Sequence, residues 1–216
     1  MKGERIHIIG LTGGIGSGKS FIARGLRERG YAVYDTDREA KRLIAEDEEL
    51  KRQLIELFGP DTYAPDGTYQ TRYVARRVFE DKTLLERLNA IVHPAVRRDF
   101  EAWKDSLPSS FHRGFPEKSA DFWGPLHLSP FTFLESAILY ESGFDTLCDK
   151  VVAVVADEDI RLRRVIGRDK TDIDKVRARM RAQLSEQELR RRADLVVMND
   201  GNKNIEELCQ FITQHL

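Results

Sequence analysis

Apolar positions along the chain fall into short continuous runs separated by stretches of helical spacing. Ile6, Ile8, Ile9 and Leu11 form a run long enough for a buried strand. Ile22, Ala23 and Leu26 then share one face of a helix that Gly30 ends. Residues 31–34 predict a second strand, running into Asp35-Thr36-Asp37. Thr36 and Glu39 stand at capping-box spacing, so a helix is expected there with Ala40, Leu43 and Ile44 inward. Asp47 caps a further helix carrying Leu50, Leu54, Leu57 and Phe58, closed by Gly59-Pro60, and residues 61–70 form a turn or short hairpin around Pro65-Asp66-Gly67. Val78, Leu84, Leu85, Leu88 and Ile91 predict one helix over 74–93. His93-Pro94 breaks it, and Pro94 sits in the first turn of a next helix with Val96, Phe100 and Trp103.

Periodicity then fails. Residues 104–130 hold four prolines and scattered aromatics (Phe111, Phe115, Phe122, Trp123), and read as an extended, poorly ordered loop or insertion whose rings pack on the protein's own surface. Residues 131–134 are a third strand. The unbroken β-branched run at 151–156 signals a strand buried on both faces of a parallel sheet. A helix over 160–168 follows. Val176, Met180 and Leu184 mark another, and Ser185 with Glu188 boxes the start of a third. Residues 195–198 are the last strand and 205–216 a closing helix. Strands alternating with helices predict a doubly wound, parallel five-stranded α/β sheet.

Between the first strand and the first helix lies Gly13-Gly14-Ile15-Gly16-Ser17-Gly18-Lys19-Ser20, the spacing G-x-x-x-x-G-K-S. Glycines keep Cβ atoms away and let successive backbone N–H groups surround phosphate oxygens. The helix that follows adds free N–H donors and its positive end. Lys19 reaches the β- and γ-phosphates, and the Ser20 hydroxyl suits Mg²⁺. A nucleoside triphosphate is the expected ligand.

Charge and cysteine content narrow the class. With 35 Lys and Arg against 36 Asp and Glu, the net charge of -1 offers no global basic field for nucleic acid or an anionic membrane. Cys148 and Cys209 fit no metal or redox spacing and read as free thiols of a reducing compartment. No run approaches a membrane span, and no signal peptide is evident, so a soluble cytoplasmic protein is expected, monomeric or a weak homo-oligomer. A GTPase would add D-x-x-G after a strand and N-K-x-D. The single D-x-x-G, at residues 121–124, follows no strand, and Asn202-Lys203-Asn204-Ile205 lacks the aspartate. A motor ATPase would end a strand in Asp-Glu; Asp157-Glu158 reads better as a helix start with its acids at the positive end.

A kinase needs a base near the γ-phosphate, and groups just after strands face the nucleotide in such sheets. Asp35 and Asp37 follow the second strand; Asp37 is the candidate base that accepts the acceptor hydroxyl's proton. The competing reading makes both carboxylates helix caps. Ten arginines lie between Arg161 and Arg192, most of them on a solvated face paired with interleaved acids. Arg168, at a break between helices, is best placed for a lid that neutralises transition-state charge, with Arg164 one turn earlier second.

The chain resembles the dephospho-coenzyme A kinase family over nearly its whole length. The resemblance rests on residues 9–20, on Asp35-Thr36-Asp37, and on Asp66-Gly67-Thr68 through Arg72 to Val78-Phe79. Leu88-Asn89 with His93-Pro94, residues 138–143, Arg164, Arg168-Asp169, Ala182-Gln183, Ala193-Asp194 and Asn199 extend it. It implies transfer of the ATP γ-phosphoryl group to the ribose 3′-hydroxyl of dephospho-CoA, with Mg²⁺, as the last step of coenzyme A synthesis. By the same resemblance Asp37 is the base and Lys19 and Arg168 assist. Gly14, Ile15, Gly16, Ser17, Gly18, Lys19, Ser20, Arg164 and Asn199 hold ATP, with Asn199 near the adenine and Ser20 on the metal. Asp35, Arg72, His93 and Glu141 meet the acceptor, which lies along a helical insertion at about 40–103, under a lid at about 160–184. Two departures stand out: Ala137 where the family usually has proline, and the length of the 104–130 segment. Alternative readings are another nucleoside or nucleotide kinase, or a non-catalytic, nucleotide-gated binding module.

Overall fold

A computed structural model describes residues 6–107 and 131–216, with the backbone alone for Lys82. The loop expected at 104–130 lies outside the described residues from 108 onward; before that point the preceding helix runs through to Asp105. The chain divides into two compact units, Met1–Asp35 with Leu107–Leu216, and Thr36–Ser106.

The first unit is built on five parallel strands: β1 (His7–Thr12), β2 (Ala32–Asp35), β3 (Phe131–Glu135), β4 (Lys150–Val155) and β5 (Leu195–Met198). Their order is β2-β3-β1-β4-β5. Register sets Leu11 beside both Glu135 and Val152, and Asp35 beside Glu135, so the carboxyl ends of β1, β2 and β3 share one edge. Alternation along the strands sends Ile9, Leu11, Val33, Phe133, Val152, Val154 and Val197 to one face. Two helices cover that face, α1 (Lys19–Glu28) through Ile22, Ala23 and Leu26, and the closing helix (Ile205–Gln214) through Leu208, Cys209 and Ile212. A Cβ on Gly25 would lie 2.4 Å from Ile205 Cγ1 and 2.9 Å from Cys209 Sγ, so glycine there lets these helices touch. Asn204 and Glu207 form a complete capping box at the start of the closing helix.

The second unit contains four helices, α2 (Thr36–Glu46), α3 (Glu48–Phe58), α4 (Thr71–Glu80) and α5 (Lys82–Asp105), with α2, α3 and α4 packed against α5. Asp47 caps α3 by accepting from Leu50 N at 2.9 Å, and Gly59 ends it with φ 94°. A single antiparallel bridge joins Tyr63 to Tyr69 across the expected turn.

Several local expectations are corrected. The helix expected over 74–93 is two helices, separated at Asp81 (φ -136°, ψ 107°), whose carboxylate accepts from Thr83 N at 2.8 Å and caps α5. Pro94 breaks nothing; it lies inside α5 on an exposed position, while Val92, Ala95, Val96 and Phe100 are buried. Proline removes one ladder hydrogen bond, and burial of the opposite face carries the helix across it. Thr36 is the first residue of α2 rather than the cap of a box, and Glu39 turns instead to Arg38 (2.8 Å) and Arg42 (2.6 Å).

After β4 come α6 (Glu158–Asp169), α7 (Ile173–Arg181) and α8 (Glu186–Arg192), which makes the closing helix α9. Lys170 takes a left-handed conformation (φ 47°) that stops α6, and Asp172 caps α7. α7 ends at Arg181, so Leu184 falls outside the helix expected to include it. Ser185 caps α8 through Glu188 N, but the Glu188 carboxylate pairs with Arg191, leaving the expected box half made.

Candidate active site

β1, β2, β3 and β5 each deliver polar groups at or just past their carboxyl ends, in the glycine loop, Asp35, Glu135 and Asn199. β1 runs into the glycine loop, whose last turn becomes α1. Gly16 (φ 81°) and Gly18 (φ 91°) occupy left-handed conformations that a side chain would strain. Space is also lacking. A Cβ on Gly18 would lie 2.0 Å from Asn199 Nδ2, and one on Gly16 2.5 Å from the Arg161 carbonyl oxygen. Neighbours thus press on the loop from outside while its backbone curls.

Those neighbours are the end of β5, the helix α6 and the segment after α7. Asn199 is buried and donates from Nδ2 to the Ser17 carbonyl at 2.9 Å. Arg164 donates to the carbonyls of Gly16 (3.4 Å) and Ser17 (3.3 Å), and Arg161 to that of Ile15 (3.0 Å). Burial depresses the Arg161 guanidinium below its ordinary range, with Glu186 and Glu158 opposing. Gln183 accepts from Ile15 N (2.8 Å) and donates to the Ala137 carbonyl (3.3 Å), while Glu141 accepts from Leu184 N (3.0 Å). Three carbonyls of the loop are therefore held by side-chain donors and the Ile15 amide by Gln183, which fixes the curl of the backbone around its remaining amides. The Ser17 hydroxyl is buried within the loop and is one of the few such side-chain atoms without a partner among the described residues.

Lys19, like Ser17 and Asn199, is buried. Its Nζ donates to Glu135 Oε1 at 2.8 Å, and Arg27 reaches Glu135 Oε2 at 3.3 Å. Side-chain exposure is 8% for Lys19 and 1% for Glu135, so the pair is desolvated and holds only because each charge has its counterpart. Burial pushes the Glu135 carboxyl up, but Lys19, Ser20 and Arg27 together outweigh it and keep the group below the usual carboxylate range. Ser20, one residue on, is exposed at the start of α1.

Of the residues expected from the sequence, the first unit gathers Gly14, Ile15, Gly16, Ser17, Gly18, Lys19, Ser20, Arg164, Asn199, Asp35 and Glu141. Asp35 ends β2 beside Glu135. Arg168, exposed in the last turn of α6, pairs with Asp169 at 2.6 Å; that ion pair, with help from Arg179, holds Asp169 at about 2 against the opposing effect of desolvation. Asn199, expected near the adenine, has its amide on the loop. Asp37 (exposed, first turn of α2), Arg72 (exposed, first turn of α4) and His93 (half-buried on α5) belong to the second unit. Burial pushes the His93 imidazolium down from its ordinary value. Sequence reasoning passed over Glu135 and Arg27 as parts of the site; it counted Arg161 only within the arginine cluster and Gln183 only within the family resemblance. Glu135 carried a signal of its own, as an acid closing an apolar strand next to one that closes in Asp35.

A five-stranded parallel sheet of this order, with a braced glycine loop, a buried lysine and a serine between β1 and α1, defines a P-loop kinase fold. The family model described as dephospho-CoA kinase matches residues 7–113 and 116–204. A dephospho-CoA kinase of Salinibacter ruber is 42% identical over 196 residues, 91% of this chain and 90% of that one. One from Fusobacterium nucleatum is 34% identical over 212 residues, 96% of this chain and 99% of the other. The crystal structure of TT1252 from Thermus thermophilus superposes with a TM-score of 0.79 at 34% identity, covering 98% of this chain and 97% of that one. A dephospho-CoA kinase from Campylobacter jejuni shares the fold at 20% identity, with a TM-score of 0.64 and coverage of 97% and 96%. The chain belongs to the dephospho-CoA kinase family.

Proposed function

We propose that the chain transfers the γ-phosphoryl group of ATP to the 3′-hydroxyl of dephospho-CoA, completing coenzyme A. The observation that carries this reading is the braced loop with Lys19 buried at its foot, in a chain belonging to this family. The amides of Gly14, Gly16, Gly18, Lys19 and Ser20 and the positive end of α1 grip the triphosphate, and Lys19 neutralises charge that builds on the transferred group. Arg164 and Asn199 serve ATP by fixing the Ser17 carbonyl, and so the loop's curvature. The unpartnered Ser17 hydroxyl and the exposed Ser20 hydroxyl are the donor set that suits a phosphate tail carrying Mg²⁺. Ser20 would hold the ion, which supplies charge screening between the β- and γ-phosphates when bound.

Asp37 accepts the proton of the acceptor hydroxyl and orients it in line with the γ-phosphorus. Its place along the chain, two residues past the end of β2, supports that role. Asp35, Arg72, His93 and Glu141 serve the acceptor, and the α6–α7 segment with Arg168 forms the lid. No helix among the described residues is long and apolar enough to cross a membrane; a cytoplasmic, monomeric or weakly associating enzyme is the corresponding reading. An ADP-release assay with ATP and Mg²⁺ tests the proposal. ADP should appear at an appreciable rate only when dephospho-CoA is present. Comparable rates with AMP or a nucleoside as acceptor would favour another nucleotide kinase, and acceptor-independent silence a binding module.

A further inference from the structure

The buried carboxylate of Glu135 has no part in the roles assigned so far, yet it sits at the centre of a desolvated charge cluster. It is 1% exposed, accepts from Lys19 Nζ at 2.8 Å and faces Arg27 at 3.3 Å, with the Ser20 hydroxyl a further donor. These three partners all lie on α1, Lys19 and Ser20 directly after the glycine loop and Arg27 in the last turn. β3 fixes Glu135 from the other side, since its backbone pairs with both β1 and β2. The carboxylate is thus anchored in the sheet and reaches up to the two side chains expected to meet the phosphates and their metal.

We propose that Glu135 is a positioning residue for phosphoryl transfer: it holds the Lys19 ammonium from the sheet side, so that a nucleotide must share that ammonium rather than capture it. The proposal rests on Lys19 gripping the phosphates. Two physical consequences follow from a desolvated pair of this kind. Nucleotide binding competes against an existing charge-assisted hydrogen bond, so the carboxylate weakens affinity. The same bond stops the four-carbon stem from swinging, so the ammonium is aimed before the substrate arrives. Arg27 balances the cluster. By drawing on Oε2 it lessens the hold of the carboxylate on Lys19.

The test measures ADP binding by calorimetry in the presence of EDTA, so that no metal–carboxylate effect enters, beside kcat and KM for ATP in the full assay. Glu135→Gln should bind ADP about tenfold tighter, the scale of one hydrogen bond to a charged group. It should also lower KM for ATP and, because Lys19 is no longer aimed, lower kcat about tenfold or more. Glu135→Asp, which keeps the charge one methylene further back, should recover part of kcat. Unchanged or weaker ADP binding in folded Glu135→Gln overturns the proposal. So does tighter binding with kcat intact, which is what a diffuse change in field would give. Should Glu135→Gln fail to fold, Arg27→Gln decides: the carboxylate then grips Lys19 harder, ADP binds several-fold weaker, and unchanged binding overturns the proposal. If the unaltered protein binds no ADP at all, the reading of the loop as a phosphate site fails instead, and the two failures are told apart.

Discussion

A lysine and an aspartate divide the work at the residue scale, and their substitutions should separate binding from chemistry. Lys19 is buried against Glu135 at the end of the glycine loop. Lys19→Ala removes charge that acts on both ground and transition states, so KM for ATP should rise and kcat fall together. Asp37 is exposed in the first turn of α2 and is the proposed acceptor of the substrate hydroxyl's proton. Asp37→Asn should leave ATP affinity within about twofold while kcat drops at least about a hundredfold, the contribution of a general base. Calorimetry with ATP and a steady-state assay check both. A turnover that barely changes in Asp37→Asn would reduce Asp37 to a carboxylate at the positive end of α2. The loop residues were legible in the sequence because their chemistry is local, eight consecutive positions with fixed spacing. Glu135, Gln183 and Arg161 were not. Their partners stand 116, 168 and 146 positions away along the chain, and only the sheet register and the helices around it bring them to the loop.

Elements follow the same division. Strands showed as β-branched runs because a parallel sheet buries both faces, and β4 is buried at every position after Lys150. Asp81 stayed hidden because Val78, Leu84, Leu85 and Leu88 keep a helical period straight across the break. The capping carboxylate, not the apolar pattern, marks the boundary. Pro94 misled in the opposite sense. It sits in the body of a 24-residue helix, where its missing N–H forfeits one ladder bond. Pro94→Ala should therefore stabilise the protein. Proline in a helix interior is worse than alanine by about 3 kcal/mol in peptides. Its restraint on the unfolded chain offsets about 0.4–1 kcal/mol, and accommodation within the packed helix offsets more. A net gain of about 1 kcal/mol, read from the urea midpoint at constant m, is expected. A loss would mean that the proline ring itself packs where alanine leaves a void.

On the scale of the whole molecule, the chain leaves the sheet after β2, forms Thr36–Ser106 as one continuous helical unit, and returns by β3, the strand beside β2. The proposed base Asp37 and the proposed acceptor contacts Arg72 and His93 belong to the helical unit; the glycine loop, Asp35 and Glu141 belong to the sheet unit. Stability of the helical unit bears directly on turnover, and His93 gives it a pH dependence. Burial lowers the imidazolium pKa below the ordinary 6.5, so the folded state holds His93 neutral where the unfolded chain has begun to protonate. The unfolded state binds more protons, and stability rises with pH across that interval. The contribution is complete above about pH 6.5. It is lost as pH falls toward the folded pKa, by at most about 1.4 kcal/mol per pH unit for one proton. His93→Gln removes the titration while keeping a polar side chain. Urea midpoints at pH 7.5 and 5.5 should therefore fall further apart for the natural protein than for His93→Gln, with carboxylates contributing alike to both. Equal differences would mean that His93 protonates as readily in the folded helix as in the open chain.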